Sequence, residues 1–218
     1  MPEWRRPGTL VLGADGNFYG ACGTGGDSNN DGTLFKITQT GQFTLLHTFN
    51  GTDGHSPAAL VQGSNGNFYG TAMQGGSSDD GTIFKITPTG TFTKLVDLES
   101  TGGLYPETMM QYTSGLFYGA TQADGANGYG SFYSLTVGLK PFVGTVPTMG
   151  KAGSNVIILG NNLKGATQVT FNGSSAKFRV FSGTAIVAVV PTGAKSGIVR
   201  VTVGGRTLKS NTVFRVPP

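Results

Sequence analysis

Residues 66–87 read Gly66-Asn67-Phe68-Tyr69-Gly70-Thr71-Ala72-Met73-Gln74-Gly75-Gly76-Ser77-Ser78-Asp79-Asp80-Gly81-Thr82-Ile83-Phe84-Lys85-Ile86-Thr87, and both ends of this stretch recur in the chain. Gly-Asn-Phe-Tyr-Gly also stands at 16–20, and Gly-Leu-Phe-Tyr-Gly at 115–119, at offsets of 50 and 49. The second motif returns as Gly32-Thr33-Leu34-Phe35-Lys36-Ile37-Thr38 and, more loosely, as Gly130-Ser131-Phe132-Tyr133-Ser134-Leu135-Thr136, both 49 residues away. Pro7, Pro57 and Pro106 open the copies, followed by the apolar pairs Leu10-Val11, Leu60-Val61 and Met109-Met110. Two motifs in one fixed order define three tandem copies, about 7–55, 56–104 and 105–137.

The middle copy predicts four strands, near 59–62, 67–72, 82–87 and 91–98, because runs rich in aromatic and β-branched residues alternate with Gly, Asn and Pro punctuation. Ser64-Asn65-Gly66 and Pro88-Thr89-Gly90 are the turns, and 75–80 is a loop. Four short strands per period make one small twisted sheet, and sheets of that size stacked face to face are propeller blades. The Phe-Tyr and Phe-Lys-Ile positions would then fill the space between blades. Copy three runs from Thr136 into Val137-Gly138 without a fourth strand. Propellers close with about 4 to 8 blades, so three copies imply the tail of a longer array, assembly with other chains, or an open stack. Only six residues precede Pro7, which points to an array entered partway.

From Gly138 the pattern changes. Strands at 155–159, 168–171, 185–190, 198–203 and 212–216, separated by Gly-Asn-Asn, Asn-Gly and Gly-Gly turns, predict a small β-sandwich over 138–218. The expected fold class is therefore all-β: a partial β-propeller of three blade-like repeats, the last incomplete, plus a C-terminal sandwich. Thirty-seven glycines and ten prolines in 218 residues agree with short strands and tight turns.

Charge divides at the same boundary. Residues 138–218 carry ten Lys or Arg and no Asp or Glu, for +10, whereas 1–137 carry −6, which together give the chain's +4. Such asymmetry suits polyanions, attraction between the two parts, or solubility alone. One cysteine, Cys22, rules out an intrachain disulfide or a CxxC pair. No run of about 18 apolar residues spans a bilayer. The start Met1-Pro2-Glu3-Trp4-Arg5-Arg6 lacks a signal peptide's apolar core, and Pro7-Gly8-Thr9 follows the arginine pair where a twin-arginine signal needs an apolar stretch.

The copies, with Leu-x-x-Gly-x-x-Gly-Asn-Phe-Tyr-Gly and Gly-Thr-x-Phe-Lys-Ile-Thr cores, resemble the GloVer-type tandem repeats of exported proteins from Acidobacteria, Verrucomicrobia and similar bacteria, which implies propeller blades. Residues 141–218 resemble an IPT/TIG domain, an immunoglobulin-like fold. Its carriers are Pro147-Thr148-Met149-Gly150-Lys151-Ala152-Gly153, Ile157-Ile158-Leu159-Gly160-Asn161-Asn162-Leu163, Val169-Thr170-Phe171-Asn172-Gly173, Val189-Val190-Pro191 and Ser210-Asn211-Thr212-Val213-Phe214. This resemblance implies a spacer or interaction module without catalytic residues, and an extracellular or cell-surface setting.

Candidate sites are few. Asp27-Ser28-Asn29-Asn30-Asp31-Gly32 spells the first half of a calcium loop, with Asp27, Asn29 and Asp31 as oxygen ligands, but Thr38 stands where a bidentate Glu is needed. A polar turn is the preferred reading. Tyr19, Tyr69 and Tyr118 offer aromatic faces to a sugar or other ligand if alternation turns them outward; packing of both members of each Phe-Tyr pair is preferred. His47 and His55 lie in no metal-ligand spacing and read as solvated, and Asp53, His55 and Ser56 make a catalytic triad on paper only. Asp97, Glu99 and Glu107 read as edge charges rather than a glycosidase pair.

The basic residues Lys140, Lys151, Lys164, Lys177, Arg179, Lys195, Arg200, Arg206, Lys209 and Arg215 are spread without clustering, which speaks against nucleic acid and leaves anionic glycans and lipopolysaccharide equally open. The expectation is a non-catalytic secreted or surface scaffold that recognises a glycan or protein, without a cofactor unless calcium. Its alternatives are the C-terminal remnant of a carbohydrate-active propeller enzyme and a structural protein that self-assembles into homo-oligomers through open blade edges.

Overall fold

A computed structural model describes residues 8 and 10–218. Pro7, expected to open copy one, and the segment Met1–Arg6 lie outside the described residues. The described residues form antiparallel sheets, with one short 3-10 turn at Ser100–Gly102 and no helix long and apolar enough to cross a membrane. They divide into two compact units, one of residues 1–111 and 117–135, the other of 112–116 and 136–218.

In the first unit each copy is one sheet. Copy one is β1 (Val11–Leu12), β2 (Phe18–Cys22), β3 (Thr33–Ile37) and β4 (Phe43–Thr48), and copy two is β5 (His55–Gln62), β6 (Phe68–Gln74), β7 (Thr82–Ile86) and β8 (Phe92–Asp97), each in sequential order. Copy three has β9 (Leu104–Pro106) and β10 (Met110–Gln111) both pairing with β11 (Phe117–Ala123), which pairs with β12 (Phe132–Leu135). The long first strand of copy two is thus two short pieces in copy three. No strand follows β12 in its sheet, as Thr136-Val137-Gly138 led the sequence reading to expect.

The recurrence has a packing cause. Tyr19 of copy one stacks on Phe68 of copy two with ring centroids 3.9 Å apart, and Tyr69 of copy two meets Phe117 of copy three at 4.4 Å. Each copy's Tyr therefore packs against the next copy's Phe, and the residues from copies one and two form one buried cluster with Leu34, Phe49, Leu60, Phe84 and Ile86. The glycine after each Phe-Tyr pair is dictated by the neighbouring ring: a Cβ on Gly20 would come within 2.6 Å of Phe35, and one on Gly70 within 2.6 Å of Phe84. The recurring proline fixes another glycine in the same way, since Cβ atoms on Gly32 and Gly81 would strike Pro57 and Pro106 of the following copy.

Polar bonds repeat at the same interval. The Ala14 N–H donates to Gln62 Oε1 (2.9 Å), and one copy later the Ser64 N–H donates to Gln111 Oε1 (2.7 Å). Even the unusual backbone returns, with Ser56 and Tyr105 at φ 54° and 55° and Asn30 and Asp79 at 62° and 61°. Ser56 and Tyr105 stand where one copy hands over to the next, whereas Asn30 and Asp79 lie in the loop between the second and third strands of their copies.

The second unit comprises β13 (Gly144–Val146), β14 (Asn155–Leu159), β15 (Ala166–Phe171), β16 (Ser174–Ser175), β17 (Phe178–Val180), β18 (Ala185–Val189), β19 (Gly197–Val203) and β20 (Arg206–Phe214). They pair as two four-stranded sheets, β13-β14-β18-β17 and β16-β15-β19-β20. Period-2 alternation gives each sheet one apolar face, and Val156, Ile158, Ile186 and Ala188 from the first sheet share one core with Val169, Phe171, Val199, Val201 and Phe214 from the second. Asn172-Gly173 and Gly204-Gly205 have positive φ at both positions, the backbone that two-residue hairpin turns require.

Candidate functional site

The structure disperses most of the carboxylates and histidines that the sequence brings to notice. Asp53 Oδ2 meets His47 Nε2 at 2.9 Å, and its other oxygen accepts the Asn50 N–H, so its partner is His47 rather than His55 of the paper triad. His47 is also not the solvated residue expected. Its ring lies flat on Phe92 of copy two, centroids 3.8 Å apart and planes 4° from parallel, which makes it a packing element between copies. Asp97 accepts from Lys94 Nζ (2.8 Å) and the Ser77 N–H (3.1 Å), and the Lys94 bond foremost holds its carboxyl below the usual range. Glu107 accepts from Gln122. Asp97 and Glu107 each have their own partners.

The Asp27–Gly32 loop closes on itself. Asp27 Oδ1 accepts the N–H groups of Asn29 (3.0 Å) and Asp31 (3.2 Å), the side-chain-to-backbone turn that Asp readily forms. Asp31 is buried, its Oδ2 has no hydrogen-bond partner, and burial first, then the charge of Asp27, pushes its carboxyl above the ordinary value. Among the described residues no three His, Cys, Asp or Glu side chains converge on a common point.

Of the three tyrosines considered for ligands, Tyr19 and Tyr69 are buried with their faces against Phe68 and Phe117. The Tyr19 hydroxyl donates to Asp15 Oδ2 at 2.7 Å. Tyr118 is half-buried in β11. The faces of Tyr19 and Tyr69 are thus taken up by packing, because an outward side chain in one sheet points inward for the next.

A cleft of about 490 Å³ in the second unit gathers two of the ten cations that are spread along residues 138–218. Lys164 and Arg206 line it with the amides Asn161 and Asn162, over apolar surface from Pro141 and Leu208. Its rim is shaped by local backbone rules. Asn162 and Gly165 have positive φ in the loop between β14 and β15, and Gly204-Gly205 turn the β19–β20 hairpin so that Arg206 starts the returning strand. Asn161 Nδ2 donates to Thr113 Oγ1 at 2.8 Å, which fixes one amide. Two cations, two amides and an apolar floor suit a ligand that carries carboxylate or sulfate together with hydroxyls. Spacing along the sequence did not signal the site, since Lys164 and Arg206 are 42 residues apart and reach one cleft where β15 pairs with β19.

A family model described as the Gloeobacter/Verrucomicrobia repeat matches residues 6–181. No curated protein matches the chain. Among solved structures, a fungal alcohol oxidase of the AA5 family in complex with copper is similar over 99% of this chain and 55% of its own length, at 14% identity and a TM-score of 0.44. A protein described as a gluconolactonase is similar over 97% of this chain and 76% of its own, at 13% identity and a TM-score of 0.43. The chain spans about half the length of the oxidase, and neither likeness carries an argument about what this chain does.

Proposed function

We propose a function from one premise: the chain belongs to the Gloeobacter/Verrucomicrobia repeat family. The three copies are blades of a propeller-type stack, and residues 138–218 form an immunoglobulin-like sandwich of the IPT/TIG kind. The protein acts outside the cell or at its surface as a non-catalytic binding scaffold, and the cleft beside Lys164 and Arg206 is where it holds an anionic glycan. The observation that carries the reading is that cleft. It combines two cations, two amides and an apolar floor in a segment without a single acidic residue. Residues 138–218 carry ten cations and no carboxylate side chain, a charge balance that draws polyanions in, while Arg206 supplies the forked donor geometry that carboxylates match.

Titration of purified protein with polygalacturonate and with neutral dextran tests it. Binding of the acidic polymer alone is expected, weakening as salt shortens the Debye length to about 10 Å at 0.1 M and below, and falling at least about tenfold in a Lys164→Ser/Arg206→Ser variant, the equivalent of about 1.4 kcal/mol. Equal binding by both polymers, an unchanged double variant, or turnover of the polymer would overturn the reading.

A further inference from the structure

The two ends of the three-copy stack expose the two halves of a joint that the chain itself makes twice. Directly paired residues of an antiparallel sheet share a face, so the registers separate the faces of each copy. In copy one Leu12 pairs with Phe18, Phe18 with Ile37 and Ile37 with Phe43, which sets a front face. Val11, Tyr19, Ala21 and Leu34 lie on its back. The back of copy one packs on the front of copy two, and the back of copy two on the front of copy three, through Tyr19 on Phe68 and Tyr69 on Phe117.

Burial at equivalent positions shows what those joints cover. On the front, Leu60 of copy two is 5% exposed and Phe68 0%, whereas their counterparts in copy one, Leu10 and Phe18, are 52% and 36% exposed. Leu12, Phe43 and Leu45 extend the same exposed apolar face. On the back, Leu34 and Ile83 are 0% and 2% exposed in copies one and two, whereas Phe132, at the same position of copy three, is 85% exposed. Met110, in register with Tyr118 on the same face, is also exposed. Fronts and backs of this pattern fit each other twice inside the chain, so the front of copy one and the back of copy three are complementary by the same rule.

We propose that a second copy of this chain covers the front of copy one with the back of its copy three, placing Tyr118 and Phe132 of one molecule over Phe18 and Leu10 of the next. The contact continues an interface already formed within the chain. It differs from pairing through open strand edges in that sheet faces, not backbone ladders, make the bond. Being head-to-tail, it closes to a ring where the rotation allows and otherwise propagates.

Light scattering on the full chain over a concentration series, with Leu12→Asp and Phe132→Asp variants, tests the proposal. Both positions are exposed, so the substitutions leave the folded core intact, which circular dichroism checks. The wild type is expected above the monomer mass. Each variant alone should be monomeric, because one half of its joint is blocked, and an equal mixture should form a dimer at twice the chain mass, since each variant retains the half that the other lacks. A wild type that stays monomeric at its highest soluble concentration leaves the face to some other occupant and overturns the proposal. So does an assembly that neither variant disturbs, or one in which a single variant still dimerises with itself, the mark of a front-to-front or back-to-back contact.

Discussion

Replacing Phe68 with alanine removes a ring that is fully buried and stacked on Tyr19 at 3.9 Å, within a cluster that also holds Leu60, Phe84 and Ile86. Truncating a buried phenylalanine costs about 3–5 kcal/mol in lost transfer energy and residual cavity, of which about 0.5–1.5 kcal/mol belongs to the ring pair. Phe18 occupies the same position one copy earlier but has solvent on its outer face. There full burial would be worth about 1.5–3 kcal/mol and only part of it is realised, with no closed cavity left behind, so Phe18→Ala should cost about 1–2 kcal/mol. Domain stabilities are only about 5–15 kcal/mol, so the difference is large on that scale. Urea unfolding followed by far-ultraviolet circular dichroism reads it as a lower midpoint at unchanged slope. Equal costs for the two variants, or a Phe68→Ala cost below about 1 kcal/mol, the mean for an arbitrary substitution, would refute the reasoning that the joint between copies, rather than the sheet alone, buries this ring.

Further expectations follow from the same packing and from two carboxylates. Gly70→Ala drives a methyl to 2.6 Å from the Phe84 ring and should destabilise by about 1–3 kcal/mol. Gly102→Ala, which meets nothing within 4 Å, should be neutral or gain up to about 1 kcal/mol from the stiffer unfolded chain; reversed signs in the same urea assay would count against the close-approach argument. Asp31 has a raised folded-state pKa, so its contribution is present at low pH and lost as pH rises through that value. Asp31→Asn should therefore gain on the wild type at neutral pH and lose that gain on acidification. Asp97, lowered foremost by its bond to Lys94, behaves oppositely: its contribution is present above the usual carboxylate range and lost as pH falls, so Asp97→Asn should trail the wild type at neutral pH and converge with it in acid. Stability profiles against pH with the two slopes exchanged would contradict both assignments.

Much of the repeat unit is legible from residue order alone. Ser64-Asn65-Gly66 and Pro88-Thr89-Gly90 punctuate the middle copy where β5 ends, β6 begins and β7 gives way to β8. What alternation could not decide was the fate of Tyr19 and Tyr69. A period of two separates the faces of one sheet, but when sheets stack, both faces are interior, and the pattern that marks a ligand-facing aromatic in a lone sheet marks packing here. The covering of His47 is hidden from the sequence for the same reason, since its partner Phe92 belongs to the next copy. The cleft at Lys164 and Arg206 was invisible because its residues are distant in sequence and are joined by loops whose positive-φ Asn162, Gly165 and Gly204 set the approach.

Nuclear Overhauser contacts between ring protons, with Tyr and Phe selectively labelled, test the stacking of successive copies most directly. Cross-peaks linking Tyr19 to Phe68 and Tyr69 to Phe117 are expected, at the 3.9 and 4.4 Å centroid separations, and they should vanish singly in Phe68→Leu and Phe117→Leu. Rings of Tyr19 and Tyr69 that show no such contacts and exchange freely with solvent probes would contradict the account.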